Sequence, residues 1–365
     1  MASFSEIHFK IDHIDPLGQG VFKSDENVFF IPKTLPGESG TAKVIHSKGV
    51  VHFCELISIK EASKHRVRPD CEHFNDCGGC HFLHTSYAYE QELKKSQLDW
   101  LLRDLDTQDC QVNTFWSDQR LGYRNRLQVH YHLKSGSIGL HKSKSKKIIP
   151  VQNCQVVGPP VKEALKSLYK NGIYYYFKKP APFGHVELYF DQGEVHFAIN
   201  EPYAHRGFTQ VNSEVEKQIM SAVESAATSL HQPKLLELFS GRGRLTQGID
   251  FRSRVCVDNF PAEIEDLRTQ FVKADLFSDQ ALRVVQNQCR DIDLLVLDPP
   301  RSGLKNLSRY LSTFKPQKVI YISCNPATFK RDLKSFEGYK LEQITLFDLF
   351  PATYHYEVMG VLVRC

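Results

Sequence analysis

Residues 235–244 read Leu235-Leu236-Glu237-Leu238-Phe239-Ser240-Gly241-Arg242-Gly243-Arg244, and this stretch decides the fold class. It is typical of a buried strand that runs into a Gly-x-Gly turn, where a ligand can approach the backbone closely. Asp258 ends the next predicted strand, where its carboxylate can hold two ribose hydroxyls. The turn lacks the third glycine of pyrophosphate-binding loops, so it favours a nucleoside without a pyrophosphate. A purely structural turn is the alternative interpretation.

The chain around this turn alternates between helices and strands, which predicts βαβ units and a mostly parallel sheet. A helix is predicted over Ser213–His231, and we expect an α/β domain over residues 205–365. The predicted strands are Lys234–Phe239, Arg254–Val257, Phe271–Ala274, Asp293–Leu297, Lys318–Ser323, Glu342–Phe347 and Val358–Arg364.

The preceding sequence is rich in short β-runs separated by Gly and Pro turns. Residues 1–60 predict a small β-barrel, and residues 61–204 predict a second, β-rich domain that includes a helix over Tyr87–Leu105. The loop Lys142–Lys147 is strongly basic, which indicates either a solvated hairpin tip or an RNA contact.

Composition narrows the class of protein. With 365 residues, 41% hydrophobic and 24% charged, the chain is typical of a globular protein with two or three domains. No apolar run approaches the length of a membrane span, and the acidic residues near the start argue against a signal peptide. Ten cysteines without a secretory signal favour reduced thiols or metal ligation over disulfides. We expect a cytoplasmic monomer without membrane contact, and a net charge of +4 is compatible with nucleic acid.

Three cysteines have the spacing of a metal site. Cys71, Cys77 and Cys80 lie within ten residues, and two glycines let the backbone fold tightly around them. The spacing alone does not separate zinc from an iron–sulfur cluster. A fourth ligand must come from elsewhere, and Cys154 is the candidate, with a small buried thiol as the alternative.

Two further strand ends carry candidate chemistry. Asp298 ends a predicted strand and is followed by Pro299-Pro300-Arg301, which places its carboxylate in the ligand crevice. Methyltransferases that act on amino groups of bases normally have an aromatic residue after Asp-Pro-Pro, whereas Arg301 stands here. Cys324 also follows a strand, at the start of a predicted helix, where a thiolate is favoured and can act as a nucleophile.

Glu357 lies between apolar residues beside the last predicted strand. Burial raises the pKa of a carboxylate, which suits a general base. Without a catalytic role, Cys324 would be a buried core cysteine and Glu357 an exposed glutamate. The Gly-x-Gly turn and Asp298 favour a catalytic role for both residues.

Together these motifs resemble the 5-methyluridine RNA methyltransferase family, over nearly the whole chain. Gly18-Gln19-Gly20-Val21 and Leu35-Pro36-Gly37-Glu38 resemble the RNA-binding β-barrel called TRAM. Tyr123-Arg124-Asn125-Arg126 and Gly207-Phe208-Thr209-Gln210-Val211-Asn212 match further family motifs. The resemblance implies a Rossmann-like methyltransferase domain behind an OB-like barrel and an iron–sulfur domain. It also implies a [4Fe–4S] cluster, with Cys71, Cys77, Cys80 and Cys154 as its ligands.

The resemblance implies roles for the remaining site residues. S-adenosylmethionine would be bound by Gln210, Phe239, Gly241, Gly243, Asp258 and Asp298. An edge of the uracil is the alternative partner of Gln210, and Asp298 would also lie near the target base. Cys324 matches the family's nucleophile and Glu357 its general base. The chain departs from the family at Ser240, Arg242 and Arg244, which replace a cysteine and smaller or amide residues, and Asp258 replaces a longer glutamate. One of the arginines would meet the methionine carboxylate of the cofactor or spoil its pocket.

The implied reaction is addition of Cys324 to C6 of a uridine, methylation at C5 and removal of the C5 proton by Glu357. An N-terminal β-barrel combined with an iron–sulfur cluster favours 23S rRNA as the substrate. The T-loop uridine of tRNA is the alternative substrate. A methyltransferase that acts on base nitrogen atoms is another alternative, but in such an enzyme Cys324 and Glu357 would have no catalytic role. A non-catalytic iron–sulfur RNA-binding protein would not bind S-adenosylmethionine.

Overall fold

The structure is a computed structural model that describes residues 6–105, 107, 109–202, 210–260 and 266–365. The chain forms two compact units. The first unit contains residues 1–97, 118–201 and 350–354, and the second contains residues 98–117, 202–349 and 355–365. The division into three domains that the sequence suggested stays a prediction.

The secondary-structure elements are numbered in chain order. The strands are β1 (Glu6–Lys10), β2 (His13–Ile14), β3 (Gln19–Ser24), β4 (Asn27–Pro32), β5 (Ser39–Lys48), β6 (Val51–Glu61), β7 (Gln111–Phe115), β8 (Arg126–His132), β9 (Ser137–His141), β10 (Ile148–Ile149), β11 (Phe183–Asp191), β12 (Glu194–Ile199), β13 (Lys234–Leu238), β14 (Ser253–Asp258), β15 (Thr269–Lys273), β16 (Leu294–Leu297), β17 (Lys318–Ser323), β18 (Tyr339–Phe347) and β19 (Glu357–Arg364). The helices are α1 (Tyr87–Leu102), α2 (Pro159–Asn171), α3 (Ile173–Tyr176), α4 (Ser213–Ala227), α5 (Ala281–Gln286), α6 (Leu307–Phe314) and α7 (Pro326–Leu333), with one 3₁₀ turn at Leu133–Ser135.

The first unit contains two sheets. The first sheet has six strands in the order β1-β5-β6-β4-β3-β2, and all neighbours are antiparallel except β4 and β6. Its core contains Phe9, Phe29 and Ile31. The predicted β-rich start of the chain is therefore confirmed as a sheet, while its closure into a barrel stays a prediction.

The second sheet of this unit has five strands in the order β10-β9-β8-β11-β12, all antiparallel. Its strands alternate between buried and partly exposed residues, as Leu127, Val129 and Tyr131 show along β8. Helix α2 packs against β11 and β12 with Val161, Leu165 and Leu168 buried. One face of the sheet therefore forms core with α2.

The second unit is built on an eight-stranded sheet in the order β15-β14-β13-β16-β17-β19-β18-β7. Strands β13 to β17 are parallel to one another, whereas β19 is antiparallel to both β17 and β18. The predicted α/β class is confirmed. Strand β7 pairs in parallel with β18, with Phe115 opposite Phe347, and was not predicted, because its short sequence is largely exposed and has little apolar alternation.

A buried network of charges fixes residues 350–354 within the first unit. Both Glu90 and Lys94 are fully buried on α1, and their side chains lie 2.9 Å apart (Nζ to Oε1). Arg120 Nη2 lies 2.9 Å from Glu90 Oε2, and the backbone N–H of Ala352 donates to Glu90 Oε1 at 2.7 Å. Lys94 Nζ also donates to the carbonyl of Phe350 at 3.3 Å. One carboxylate therefore serves two cations and a backbone donor.

Replacing Glu90 with glutamine is expected to lower the free energy of unfolding by about 3–5 kcal/mol, because the buried Lys94 and the partly buried Arg120 then lose their counter-charge. The measurement is the shift of the midpoint of urea unfolding. The matched control is Glu163→Gln, which breaks an exposed ion pair with Lys166 and is expected to cost about 1 kcal/mol or less. Equal shifts for the two variants would contradict a stabilising role of the network.

Candidate active site

Three predicted site residues meet at one edge of the eight-stranded sheet. Asp298 directly follows β16, Cys324 directly follows β17, and Glu357 begins β19. Strands β16 and β17 are parallel, while β19 runs antiparallel with Val358 opposite Ser323. The carboxyl ends of β16 and β17 and the amino end of β19 therefore share this edge, which is where open α/β sheets bind ligands.

Glu357 is a buried carboxylate. Its Oε2 atom accepts no hydrogen bond in the part of the chain that the structure describes. Burial, and then the charge of Asp298, raise the pKa of Glu357 well above its ordinary value, and Arg301 opposes this shift. The prediction of a raised pKa is confirmed. Burying an acceptor without a hydrogen-bond donor costs free energy of folding, and such a group is typically one that binds a ligand or a proton.

The prediction that the Cys324 thiolate is favoured at the start of a helix is wrong. Burial, followed by the charges of Glu357 and Asp298, raises the pKa of the Cys324 thiol to about 12, so the thiolate is disfavoured in the free protein. The expected assistance from the helix is absent because Asn325 is the cap of α7. Its Oδ1 accepts hydrogen bonds from the N–H groups of Ala327 at 3.2 Å and Thr328 at 3.4 Å.

Arg301 is a functional candidate that the sequence reasoning did not assign. Its side chain hydrogen-bonds Cys324 and lowers the pKa of that thiol, against the larger effects of burial and the acids. Its Nη2 atom lies 3.4 Å from Nε2 of His355, and its carbonyl accepts hydrogen bonds from Asn325 Nδ2 at 3.1 Å and Thr328 Oγ1 at 3.0 Å. Its position directly after the Asp298-Pro299-Pro300 motif is the feature of the sequence that could have identified Arg301 as a site residue.

The Gly-x-Gly turn after β13 has the predicted open backbone. Phe239, Gly241 and Gly243 have φ angles of +59°, +50° and +67°, in the left-handed region that bulky residues avoid. A Cβ atom on Gly243 would lie 3.2 Å from Cys256 Sγ, whereas one on Gly241 would have no atom within 4 Å. Its positive φ and this close contact therefore both favour glycine at position 243, and Gly241 leaves space for a ligand.

Asp258 organises this turn. Its Oδ2 accepts a hydrogen bond from the Gly241 N–H at 2.9 Å and its Oδ1 from the Phe260 N–H at 2.8 Å. Two exposed aromatic residues lie in the loops after β14 and β15, namely Phe260 and Phe277, and the Phe277 ring lies 5.6 Å from that of Phe239. The sequence reasoning missed both, although exposed aromatic residues beyond strand ends are a usable signal.

Buried acids lie beneath the turn. Burial raises the pKa of Glu237 on β13 to about 7, although Thr246 donates a hydrogen bond to its Oε2. Burial and the charge of Glu237 raise the pKa of Asp298 to about 7 as well. Glu237 was not predicted as a site residue. Together with Glu357, these acids give the sheet edge a concentration of carboxyl groups that a cation would stabilise.

The segment before α4 is described only from Gln210 onward, so Gly207, Phe208 and Thr209 of the predicted motif lie outside the described residues. The backbone N–H of Gln210 donates a hydrogen bond to Glu216. Asn212 caps α4 by accepting from the Val215 N–H at 3.4 Å. Arg244 Nη2 lies 3.5 Å from Glu216 Oε2, so one of the two unusual arginines pairs with α4.

The four predicted metal ligands line a single cavity of the first unit. Its lining includes Cys71, Cys77, Cys80 and Cys154, together with Phe74, Leu83, Leu127, Leu140, Val151, Val156 and Arg124. The backbone N–H of Gly79 donates to Cys77 Sγ at 3.4 Å. Within the described residues, no group of three or more His, Cys, Asp or Glu side chains is arranged to hold a metal ion as it stands.

Throughout the described part of the chain, no helix has the length and apolar character that crossing a membrane requires.

Comparison with known proteins identifies relatives of the whole chain. Residues 265–365 match the family model described as tRNA (Uracil-5-)-methyltransferase. The 23S rRNA (uracil(1939)-C(5))-methyltransferases RlmD of Vibrio campbellii and Vibrio parahaemolyticus are 26% and 27% identical, each over 97% of this chain and 95% of the relative.

One solved structure has the same fold along nearly the entire chain. The Pyrococcus abyssi tRNA (uracil-54, C5)-methyltransferase, in complex with S-adenosyl-L-homocysteine, superposes with a TM-score of 0.70 at 21% identity, over 98% of this chain and 100% of that one. This chain is therefore similar over nearly its whole length to RNA uracil-C5 methyltransferases, and its residues 265–365 match the model of that family.

Proposed function

We propose that this chain methylates C5 of a uridine in RNA, with S-adenosylmethionine as the methyl donor. The observation that carries this proposal is the shared sheet edge, where the thiol of Cys324 lies beside the carboxyl groups of Asp298 and Glu357. A thiol nucleophile and a base with a raised pKa are what addition to C6 and proton removal from C5 require.

The turn after β13 fits the cofactor. Gly241 leaves open space, Gly243 allows the tight turn, and Phe239 holds a strained conformation beside them. Asp258 would hold the ribose hydroxyls, and Phe260 and Phe277 would contact the flat face of the base. Gln210 and Asp298 complete the proposed set. S-adenosylmethionine supplies an electrophilic methyl group on a positively charged sulfur, and the buried acids at this edge would stabilise that charge.

Cys324 acts first in the proposed mechanism. Its thiol must lose a proton to water, which the Arg301 hydrogen bond favours and the neighbouring acids oppose. The thiolate then adds to C6 of the uracil, and the electrons of the C5–C6 double bond move toward the C4 carbonyl. C5 would then attack the methyl carbon of S-adenosylmethionine, and the methyl–sulfur bond would break to release S-adenosylhomocysteine.

Glu357 completes the reaction by removing the proton from C5. The electrons of that C–H bond re-form the C5–C6 double bond and expel the Cys324 thiolate. The Oε2 atom of Glu357 is suited to removing this proton, because it accepts no hydrogen bond from the described residues. The uridine must leave its stack to reach Cys324, so an unpaired loop is the expected substrate.

We propose that the cysteine cavity holds a [4Fe–4S] cluster, a choice over zinc that rests on the resemblance to the 5-methyluridine RNA methyltransferase family. Four thiols in apolar surroundings suit such a cluster, and the positive charge of Arg124 in the lining would offset their thiolates. The N–H group of Gly79 on Cys77 Sγ is a further contact that stabilises a thiolate. The proposed reaction contains no redox step, so we assign the cluster a structural role in the first unit.

Protein purified without oxygen is expected to contain about four iron atoms and four sulfides per chain. Cys80→Ser and Cys154→Ser should each lower the iron content and the visible absorbance of the cluster. Cys365→Ser is the control, because that thiol is exposed and outside the cavity, and it should change neither quantity. Full iron content in Cys154→Ser would remove Cys154 from the ligand set, and zinc in place of iron would refute the cluster.

We favour 23S rRNA as the substrate, because the relatives with that activity align with nearly the whole chain. The six-stranded sheet of the first unit would act as the TRAM-like RNA-binding part, and Lys142–Lys147 would contact phosphates. The structural relative that acts on tRNA keeps the T-loop uridine as the second candidate.

The test is to offer unmodified 23S rRNA and unmodified tRNA in parallel, with S-adenosylmethionine, and to quantify 5-methyluridine by mass spectrometry. Product in 23S rRNA alone is expected, and product in tRNA alone would select the other substrate. A methyl group on a base nitrogen, or no product in either RNA with the cluster intact, would refute the proposed reaction.

A further inference from the structure

Five ring side chains share one face of the five-stranded sheet. His132 lies opposite Phe183, and His130 lies opposite His185, in the pairing of β8 with β11. Cross-strand partners point to the same face. The ring of His130 also stacks on that of His141 from β9, with centroids 3.7 Å apart and planes at 11°. We call these five residues the imidazole face.

None of the five residues of the imidazole face is among the buried residues of the sheet. The intervening residues Val129, Tyr131 and Leu188 are buried, and α2 packs against β11 and β12. Phe183, in contrast, is 68% exposed. A large aromatic side chain held in the open beside four imidazoles is unusual on a sheet that already has a buried face, and such patches mark binding sites.

The geometry of the rings argues for stacking and against metal ligation. The His130 and His141 rings face each other by their planes, so their nitrogen atoms do not converge on one point. Burial, and then the neighbouring histidines, lower the pKa of His130 to about 4, so this ring is neutral at neutral pH. Neutral, flat rings on a sheet are what unpaired RNA bases stack on.

The charge around the face complements nucleic acid. Residues 119–162, which include β8, β9 and β10, contain nine Lys or Arg residues and no Asp or Glu, in a chain whose total net charge is only +4. Lys134 lies exposed before β9, and the exposed loop Lys142–Lys147 follows it. Basic side chains therefore flank the imidazole face at both ends of β9, where they can reach phosphates. One of them, Lys142, also pairs with Asp76, with Nζ 3.0 Å from Oδ1.

We propose that the imidazole face binds unpaired bases of the RNA substrate by stacking, while Lys134 and the loop Lys142–Lys147 contact the adjoining phosphates. This inference rests on the proposed function for the identity of the RNA, and it adds a binding site in the first unit, separate from the residues that carry out the chemistry.

The test uses the full chain with its cluster and a 12-nucleotide single-stranded RNA that carries one fluorescent 2-aminopurine. Phe183→Ala and His185→Ala are each expected to weaken binding of this strand about 5- to 150-fold, and to reduce the fluorescence quenching that stacking causes. Phe183→Trp should retain the affinity. Binding of the matched duplex, whose bases are already stacked, should change by about twofold or less.

Tyr174→Ala is the matched control, because this tyrosine is equally exposed in the same unit but lies on α3. It should bind the single strand as the unchanged protein does. Normal single-strand affinity in both Phe183→Ala and His185→Ala would overturn the inference, as would an equal loss for strand and duplex. Because binding is read without turnover, this failure is distinguishable from failure of the proposed methylation, which appears as missing 5-methyluridine.

Discussion

Replacing Cys324 with alanine is expected to reduce 5-methyluridine formation to the level of the reaction without protein. Uracil C5 becomes a competent nucleophile only after addition at C6, and in this chain Cys324 is the thiol at the sheet edge that also carries Asp298 and Glu357. The measurement is single-turnover methylation with saturating RNA and S-adenosylmethionine, read by mass spectrometry. Because the change removes only one sulfur atom, cofactor affinity measured by calorimetry should change little.

The control for this prediction is Cys289→Ala, which removes another partly buried thiol of the second unit. Burial raises the pKa of Cys289 to about 11, so both thiols are protonated in the free protein, but Cys289 lies after α5, away from the sheet edge that carries Asp298 and Glu357. Cys289→Ala should keep its turnover. Substantial methylation by Cys324→Ala would mean that another group adds to C6 or that no covalent step occurs.

Replacing Glu357 with glutamine is expected to lower turnover about 10²- to 10⁴-fold, the usual contribution of a positioned general base. Addition and methyl transfer precede proton removal, so the variant should accumulate a covalent adduct between protein and RNA. The adduct is detected as a slower band on a denaturing gel.

The same variant should also make the Cys324 thiol more reactive. The negative charge of Glu357 raises the pKa of Cys324, so its removal lowers that pKa. Alkylation of Cys324 by iodoacetamide, followed as a function of pH, should become several-fold faster in the variant over the range in which Glu357 is ionised in the unchanged protein. Loss of turnover with neither adduct nor faster alkylation would assign Glu357 a structural role instead.

Much of this site could be predicted because strand ends are readable in a sequence. Asp298 and Cys324 each follow a short apolar run, and the parallel order of β16 and β17 places such residues at one edge. Glu357 was predicted to have a raised pKa because its neighbours in sequence are apolar, and burial does raise it. The local sequence pattern was sufficient to predict a site residue wherever the strand that precedes or contains it fixes its position.

The rest depends on contacts between distant segments. The sequence indicated a favoured thiolate at Cys324, but Asn325 takes the helix donors and two acids from other strands raise the thiol pKa. The hydrogen bond from Arg301 and the raised pKa of Glu237 are likewise tertiary. The imidazole face needs the register between β8 and β11, because His130 and His185 are separated by more than fifty residues in the sequence.

The central claim is tested most directly with substrate RNA in which the target uridine is replaced by 5-fluorouridine. After addition of Cys324 and methyl transfer, C5 carries fluorine in place of hydrogen, so Glu357 has no proton to remove and the adduct cannot collapse. Protease and nuclease digestion followed by mass spectrometry is expected to show a methylated 5-fluorouridine nucleotide on the peptide that contains Cys324. If ordinary RNA is methylated while the fluorinated RNA gives no adduct, or an adduct on another residue, the mechanism proposed here is contradicted.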